Sequence, residues 1–146
     1  MNAFRAIYRV WVTILTAAVV LQIFFAGYGL FDDYRKLNNG RTIDSDSFDH
    51  PMAPHVALGY LIFLGTLVLL IVSFGTRDRR RIYRSLGVVG LVFLQIVLGS
   101  GGGDSPYIAG GLHPLNAFII LGFLSSITYR EWKGRSEASK TAAAAA

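Results

Sequence analysis

Three side-chain types in this chain can do chemistry beyond packing: histidine, glutamine inside apolar sequence, and a handful of outer-loop charges. The histidines are His50, His55 and His113, and there is no cysteine. Thiolate chemistry, disulfides and cysteine-ligated metals are therefore excluded. His55 and His113 form a pair by context. The sequence LQIFFAG at 21–27 is echoed by LQIVLGS at 94–100, and PHVALGYLIFLG at 54–65 stands beside LHPLNAFIILG at 112–122. Each copy reads as an apolar helix carrying a glutamine (Gln22 or Gln95), a loop, and a second apolar helix with a histidine near its start. Pro54 and Pro114 flank those histidines, in the place where proline is tolerated in a first helical turn. A small residue, Gly59 or Ala117, follows each histidine by four positions and so lies on the same helix face. Haem is a flat plate that needs an axial nitrogen and close backbone approach. Two facing helices, each with a histidine and a small residue one turn away, suit a bis-histidine haem b, with the iron ligated by His55 and His113 and with Gly59, Ala117, Gln22 and Gln95 around it. The alternative is that each imidazole, and each glutamine amide, simply makes an interhelical hydrogen bond. An amide in hydrocarbon has to find a partner, and a bond from Gln22 to Gln95 between the copies would supply one.

The remaining polar residues carry weaker signals. His50 has Asp46 and Asp49 nearby, donors that a loose metal site would use, but the spacing is irregular. Arg35, Lys36 and Arg41 are suited to haem propionates or to ordinary solvated charge. No Ser-His-Asp pattern, P-loop, dinucleotide fingerprint or pair of membrane carboxylates is present, so nothing supplies an obvious nucleophile or general base. Tyr8, Trp11, Tyr28, Tyr34, Tyr60, Tyr107, Tyr129 and Trp132 fall near the ends of apolar runs, as an aromatic belt does.

The elements that position these residues follow from composition. In 146 residues, 53% are hydrophobic and 16% charged, a membrane-like balance. Four apolar runs cover 10–31, 53–75, 82–100 and 108–129, each close to the roughly 20 residues that cross a bilayer core of about 30 Å. In lipid the backbone must satisfy itself, so these runs are read as helices. The fold class expected is all-α: a single four-helix transmembrane domain over 1–141, built from two tandem helix pairs, with a low-complexity tail at 142–146. The first run has the basic start of a signal peptide but is long for one, no clear cleavage site follows it, and its Gln22 belongs to the repeat. It is read as a retained helix. The 32–51 segment is read as a polar loop of about 20 residues, a length often functional or ordered against a bundle.

Charge sets the orientation. With a cytoplasmic N-terminus, eleven of the fourteen basic residues fall on the cytoplasmic side and only Arg35, Lys36 and Arg41 outside. This positive-inside bias places both termini in the cytoplasm. The formal charge of +5 therefore reflects topology and lipid headgroups, above all in the basic 76–81 turn, rather than nucleic acid. The expected setting is a bacterial cytoplasmic (inner) membrane, with the lipid bilayer, other membrane subunits or a second copy (a homodimer) as partners.

The segment LQIVLGSGGGDSPYIAGGLHPLNAF at 94–118 resembles the corresponding stretch of one half of haem A synthase, a membrane enzyme that oxidises a haem methyl group; the likeness spans about 21–122. The chain is also similar to small four-helix bacterial membrane proteins without an assigned role. The synthase is built of four-helix halves with a histidine on the second and fourth helices near the outer face. The resemblance thus implies that His55 and His113 are axial ligands and that Leu94, Gln95 and Gly99 belong to the third-helix pattern. It also marks departures. The catalytic half carries a glutamate three residues before the second-helix histidine, where this chain has Met52, and many bacterial members carry an outer-loop cysteine pair that this chain lacks. Met52 cannot act as acid or base. The scaffold and its cofactor role are implied without the methyl oxidation. The expected function is an integral membrane haem b protein, an electron-transfer or accessory subunit. The alternatives are a cofactor-free structural subunit of a respiratory or photosynthetic complex and a single-histidine chlorophyll site.

Overall fold

The computed structural model describes the backbone of residues 3–43, 45–101 and 106–144, with side chains over 3–43, 50–101, 107–134 and at 143. It consists of α1 (Ala3–Asn38), α2 (Ser45–Gly75), α3 (Arg79–Gly99) and α4 (Pro106–Ala144), with no strand among the described residues. All four helices are long and apolar enough to cross a membrane.

Each helix buries one stripe. On α1 the inward residues are Tyr8, Val12, Leu15, Val19, Gly29 and Asp33, a spacing of three and four that keeps one face toward a bundle. The opposite faces are apolar as well: Phe24, Ile71 and Phe118 are each about 60–70% exposed. Apolar all round is what a membrane solvent demands, and it makes the chain a multi-pass membrane protein. Lipid gives helices little hydrophobic reason to associate, so packing and polar links must hold the bundle. They do so at most of the seams. Trp11 Nε1 donates to the Gly65 carbonyl (2.8 Å) between α1 and α2, and Thr16 and Thr128 share a hydroxyl bond (3.0 Å) between α1 and α4. Trp132 Nε1 donates to Thr13 Oγ1 (3.0 Å). Neighbouring helices are antiparallel and in contact all round the ring α1–α2–α3–α4, while among the described residues no diagonal pair meets backbone to backbone.

The two ends of the bundle differ. At the end holding the α2–α3 turn, the fully buried Tyr8 fills the centre, with Ser85 Oγ donating to its hydroxyl (3.4 Å). Arg81 closes this end. Its Nε and Nη2 grip both oxygens of Glu131 (3.0 and 2.9 Å) and its Nη1 reaches Asp78 (2.9 Å). The Arg81 and Glu131 side chains are 15% and 8% exposed. Removing one partner of such a pair strands the other charge. Glu131→Ala is therefore expected to lower stability in detergent by about 3 kcal/mol, the low end for a broken buried pair because Asp78 remains. Thermal unfolding of Glu131→Ala beside the Arg81→Ala, Glu131→Ala double variant checks it: the double variant should recover part of the loss.

The helices run past the apolar segments that announce them. The 32–51 segment is not a loop of about 20 residues: α1 continues to Asn38 and α2 begins at Ser45. The cause is local. Asp32 pairs with Arg35 (2.8 Å) and with Lys36 (2.9 Å), and Asp33 pairs with Lys36 (3.2 Å), spacings of three and four that hold one more turn of polar helix in water. Gly40, at φ +71°, takes the left-handed conformation that ends it. Gly101, at φ +83°, does the same after α3. The prolines also fall differently from the expectation. Pro51 and Pro54 lie inside α2 and Pro114 inside α4, so they interrupt single backbone hydrogen bonds rather than mark first turns. Residues 142–144 of the 142–146 tail continue α4. Tyr8 and the half-buried Trp11 are packing residues and not part of an aromatic belt; Tyr28, Tyr34, Tyr60, Tyr107, Tyr129 and Trp132 are exposed.

Candidate functional site

At the end opposite Tyr8 the centre of the bundle holds a cavity in place of a plug. Antiparallel pairing sets His55 of α2 against Gln22 of α1, and His113 of α4 against Gln95 of α3. The two anchors match. His55 Nδ1 lies 3.1 Å from the Gln22 carbonyl oxygen, and His113 Nδ1 lies 3.1 Å from the Gln95 carbonyl oxygen. A carbonyl only accepts, so each Nδ1 carries a proton, and in the neutral ring Nε2 is the nitrogen left to ligate. Among the described residues neither Nε2 has a hydrogen-bond partner. The two rings face each other across the α2–α4 diagonal with centroids 6.0 Å apart and planes at 62°. Both border a cavity of about 1050 Å³, at the upper end of the roughly 300–1,000 Å³ of ligand sites. All four helices contribute to its wall, and Gln22, Gln95, Gly59 and Ala117 all belong to it.

The glutamines do not bond to each other. Each works inside its own helix pair. Gln22 Nε2 donates to the His55 carbonyl (2.7 Å), closing a reciprocal clamp with the His55 Nδ1 bond, and Gln22 Oε1 is buried without a partner. In the second pair Asn116 Nδ2 donates both to Gln95 Oε1 (2.7 Å) and to the Leu91 carbonyl (2.9 Å). The pairs differ because Asn116 lies three residues after His113, whereas Leu58 occupies that place after His55.

The small residues also divide their work. A Cβ at Gly59 would meet Gln22 Nε2 at 3.1 Å, so Gly59 makes room for the clamp on His55. The imidazole of His113 seats on Gly99 of α3: a Cβ there would lie 2.9 Å from its Cε1 and 3.1 Å from its Nδ1. Gly99 and Asn116 are the site residues that spacing within the repeat does not single out. Their signal is the break in symmetry, since Ala26 stands where Gly99 does and Leu58 where Asn116 does.

Other candidate residues are elsewhere. Arg35 and Lys36 are paired with Asp32 and Asp33, Arg41 is exposed, and none of the three lines the cavity. His50 is exposed, and the side chains of Asp46 and Asp49 lie outside the described residues. No cluster of three or more His, Cys, Asp or Glu gathers among the described residues. Met52 borders the cavity and packs on Gly29, where a Cβ would meet its Sδ at 2.8 Å. The arrangement sets two imidazole rings, each anchored through Nδ1, on the wall of one cavity. No family model matches the chain, nor does any curated protein or solved structure.

Proposed function

We propose that the chain is an integral membrane haem b-binding protein, an electron-transfer or accessory subunit in a bacterial cytoplasmic membrane, with both termini in the cytoplasm and the paired histidines toward the outer face. The observation that carries this reading is the matched pair of imidazoles, each tied through Nδ1 at 3.1 Å, with centroids 6.0 Å apart over a common cavity. The spacing fits the group. Metal–imidazole bonds of about 2 Å, with each ring centre about 1 Å behind its nitrogen, would let His55 and His113 share one metal ion at a centre separation of about 6 Å. Backbone carbonyls on the far nitrogens are the usual outer-shell partners of ligating histidines; they set the tautomer and raise basicity. A donor set of two imidazoles suits a macrocycle that supplies the other four nitrogens.

A haem held by His55 and His113 would supply one-electron chemistry. The chain's own residues do the rest. Gln22 and Gln95 hold the rings in place through their carbonyls, and Gly99 and Gly59 allow close approach. The orientation rests on the basic residues: Arg77, Arg79, Arg80 and Arg84 cluster at the Tyr8 end, which by the positive-inside rule is cytoplasmic. Met52 offers no proton-transfer group, which favours a binding role over methyl oxidation.

The full chain purified from haem-replete cells should carry one haem per chain and show a low-spin b-type spectrum that shifts on reduction. Protein with both histidines intact and no pigment would leave the cofactor-free subunit. Extraction of a magnesium tetrapyrrole would replace haem by chlorophyll.

A further inference from the structure

The cavity around the histidine pair has a largely apolar wall with a few uncharged polar groups on it. Gln22, Tyr60, Gln95 and Ser100 line it beside the two imidazoles, and among the described residues no Asp, Glu, Lys or Arg does. The surrounding end of the molecule is acidic. By chain position it holds Asp32, Asp33, Asp44, Asp46, Asp49 and Asp104 against Arg35, Lys36 and Arg41, and Arg35 and Lys36 already face Asp32 and Asp33. Asp33 is itself buried, with one carboxylate oxygen lacking a partner. An ionised carboxylate entering this cavity would find no cation among the described residues of the wall, and the loop sequences at this end of the chain carry six aspartates against three basic residues. Burying such a charge unpaired is costly, and the group gives up its charge instead. The buried oxygen of the Gln22 amide points the same way. Its Nε2 is committed to the His55 carbonyl, so the atom left over accepts and cannot donate.

We infer that the site selects a tetrapyrrole whose peripheral carboxyl groups are neutral, either esterified or held as the un-ionised acid, and excludes one that enters as the dianion. This rests on the tetrapyrrole reading of the histidine pair and adds a specificity to it.

The test uses the full-length apoprotein in uncharged detergent, with haem b and haem b dimethyl ester as probes and the low-spin spectrum as the signal. The diester should bind at least about tenfold more tightly, the equivalent of one unfavourable charge only partly relieved. Association of haem b should speed up with added salt, because screening weakens repulsion between like charges, while association of the diester stays constant. The salt series compares each probe with itself, so partition of the ester into detergent does not disturb it. Asp32→Asn with Asp33→Asn should narrow the gap by strengthening haem b alone. Slow, salt-accelerated binding of haem b means that the acid form is admitted; no binding of haem b beside tight binding of the diester means that only the ester is, and removes haem b, though not a tetrapyrrole, as the group this site holds. Either supports the inference. Haem b binding more tightly than its diester, with an on-rate that falls with salt, overturns it and leaves the haem reading standing. Absence of a low-spin spectrum with both probes defeats the haem reading itself.

Discussion

His113→Ala and His55→Ala should each abolish the low-spin haem b spectrum while leaving the chain inserted in the membrane and folded. Loss of one axial nitrogen leaves iron with a single protein ligand, and a five-coordinate site does not give the low-spin signal. Outer-shell changes alone cost about 10–100-fold in metal affinity, so loss of a ligand is expected to exceed about 100-fold. The fold has little reason to follow. What each ring contributes to the apoprotein is one Nδ1 bond to a carbonyl at 3.1 Å, a net contribution of about 0.5–1.5 kcal/mol. His→Gln separates ligation from hydrogen bonding. Glutamine keeps a donor for the Gln22 or Gln95 carbonyl but supplies no imidazole, so His55→Gln and His113→Gln should unfold like the native apoprotein and still lack pigment. Added imidazole should restore part of the low-spin signal to the alanine variants, which purely structural histidines would not permit. Retention of full pigment by either glutamine variant would remove that histidine as a ligand.

Much of this architecture is legible in the amino-acid order because lipid imposes a simple rule. Apolar runs near twenty residues must be helices, and the four runs correspond to the four helices. Hydropathy marks where the solvent is lipid, however, and not where a helix ends. The extension of α1 through Asp32–Lys36 is held by ion pairs in a polar sequence, and Pro51, Pro54 and Pro114 are accommodated within helices instead of starting them. The duplication of His and Gln is equally legible, because repeated residues in an antiparallel pair must meet the same neighbours. Their partners are harder to read. Gln22 and Gln95 bond within their own helix pairs and not to each other, through a choice made by Asn116 on one side and the His55 carbonyl on the other. That choice depends on rotamers and on single-residue differences between the copies, which periodicity does not register. The plug of Tyr8 at the opposite end is hidden for the same reason: a tyrosine near the end of a run looks interfacial until its hydroxyl is found against Ser85.

Gly99 provides the sharpest test of whether these contacts serve a cofactor, because stability and pigment should move separately there. The residue ends α3, and the His113 ring occupies the space its side chain would take, with Cε1 2.9 Å and Nδ1 3.1 Å from a Cβ. Alanine must push the ring by a few tenths of an ångström against its bond to Gln95, and valine adds two methyl groups at the same point. Overpacking of this kind costs about 1–3 kcal/mol when the surroundings are rigid. Here the ring borders a cavity and can swing into it, so the expected cost to the fold is small, offset in part by the better helix propensity of alanine over glycine, up to about 1 kcal/mol. The cost to the site is not small. A ring that swings away from the Gln95 carbonyl loses the bond that sets its tautomer and aim, and Gly99→Ala should weaken haem binding by about tenfold, the scale of an outer-shell change. Gly99→Val should abolish the low-spin spectrum with thermal unfolding of the apoprotein nearly unchanged. Gly90, in the middle of the same helix with nothing within 4 Å of its would-be Cβ, supplies the contrast: Gly90→Ala should retain full pigment. Equal pigment in the Gly99 and Gly90 variants would mean that the His113 ring is free to sit elsewhere, and that its contact with α3 has no part in holding a ligand.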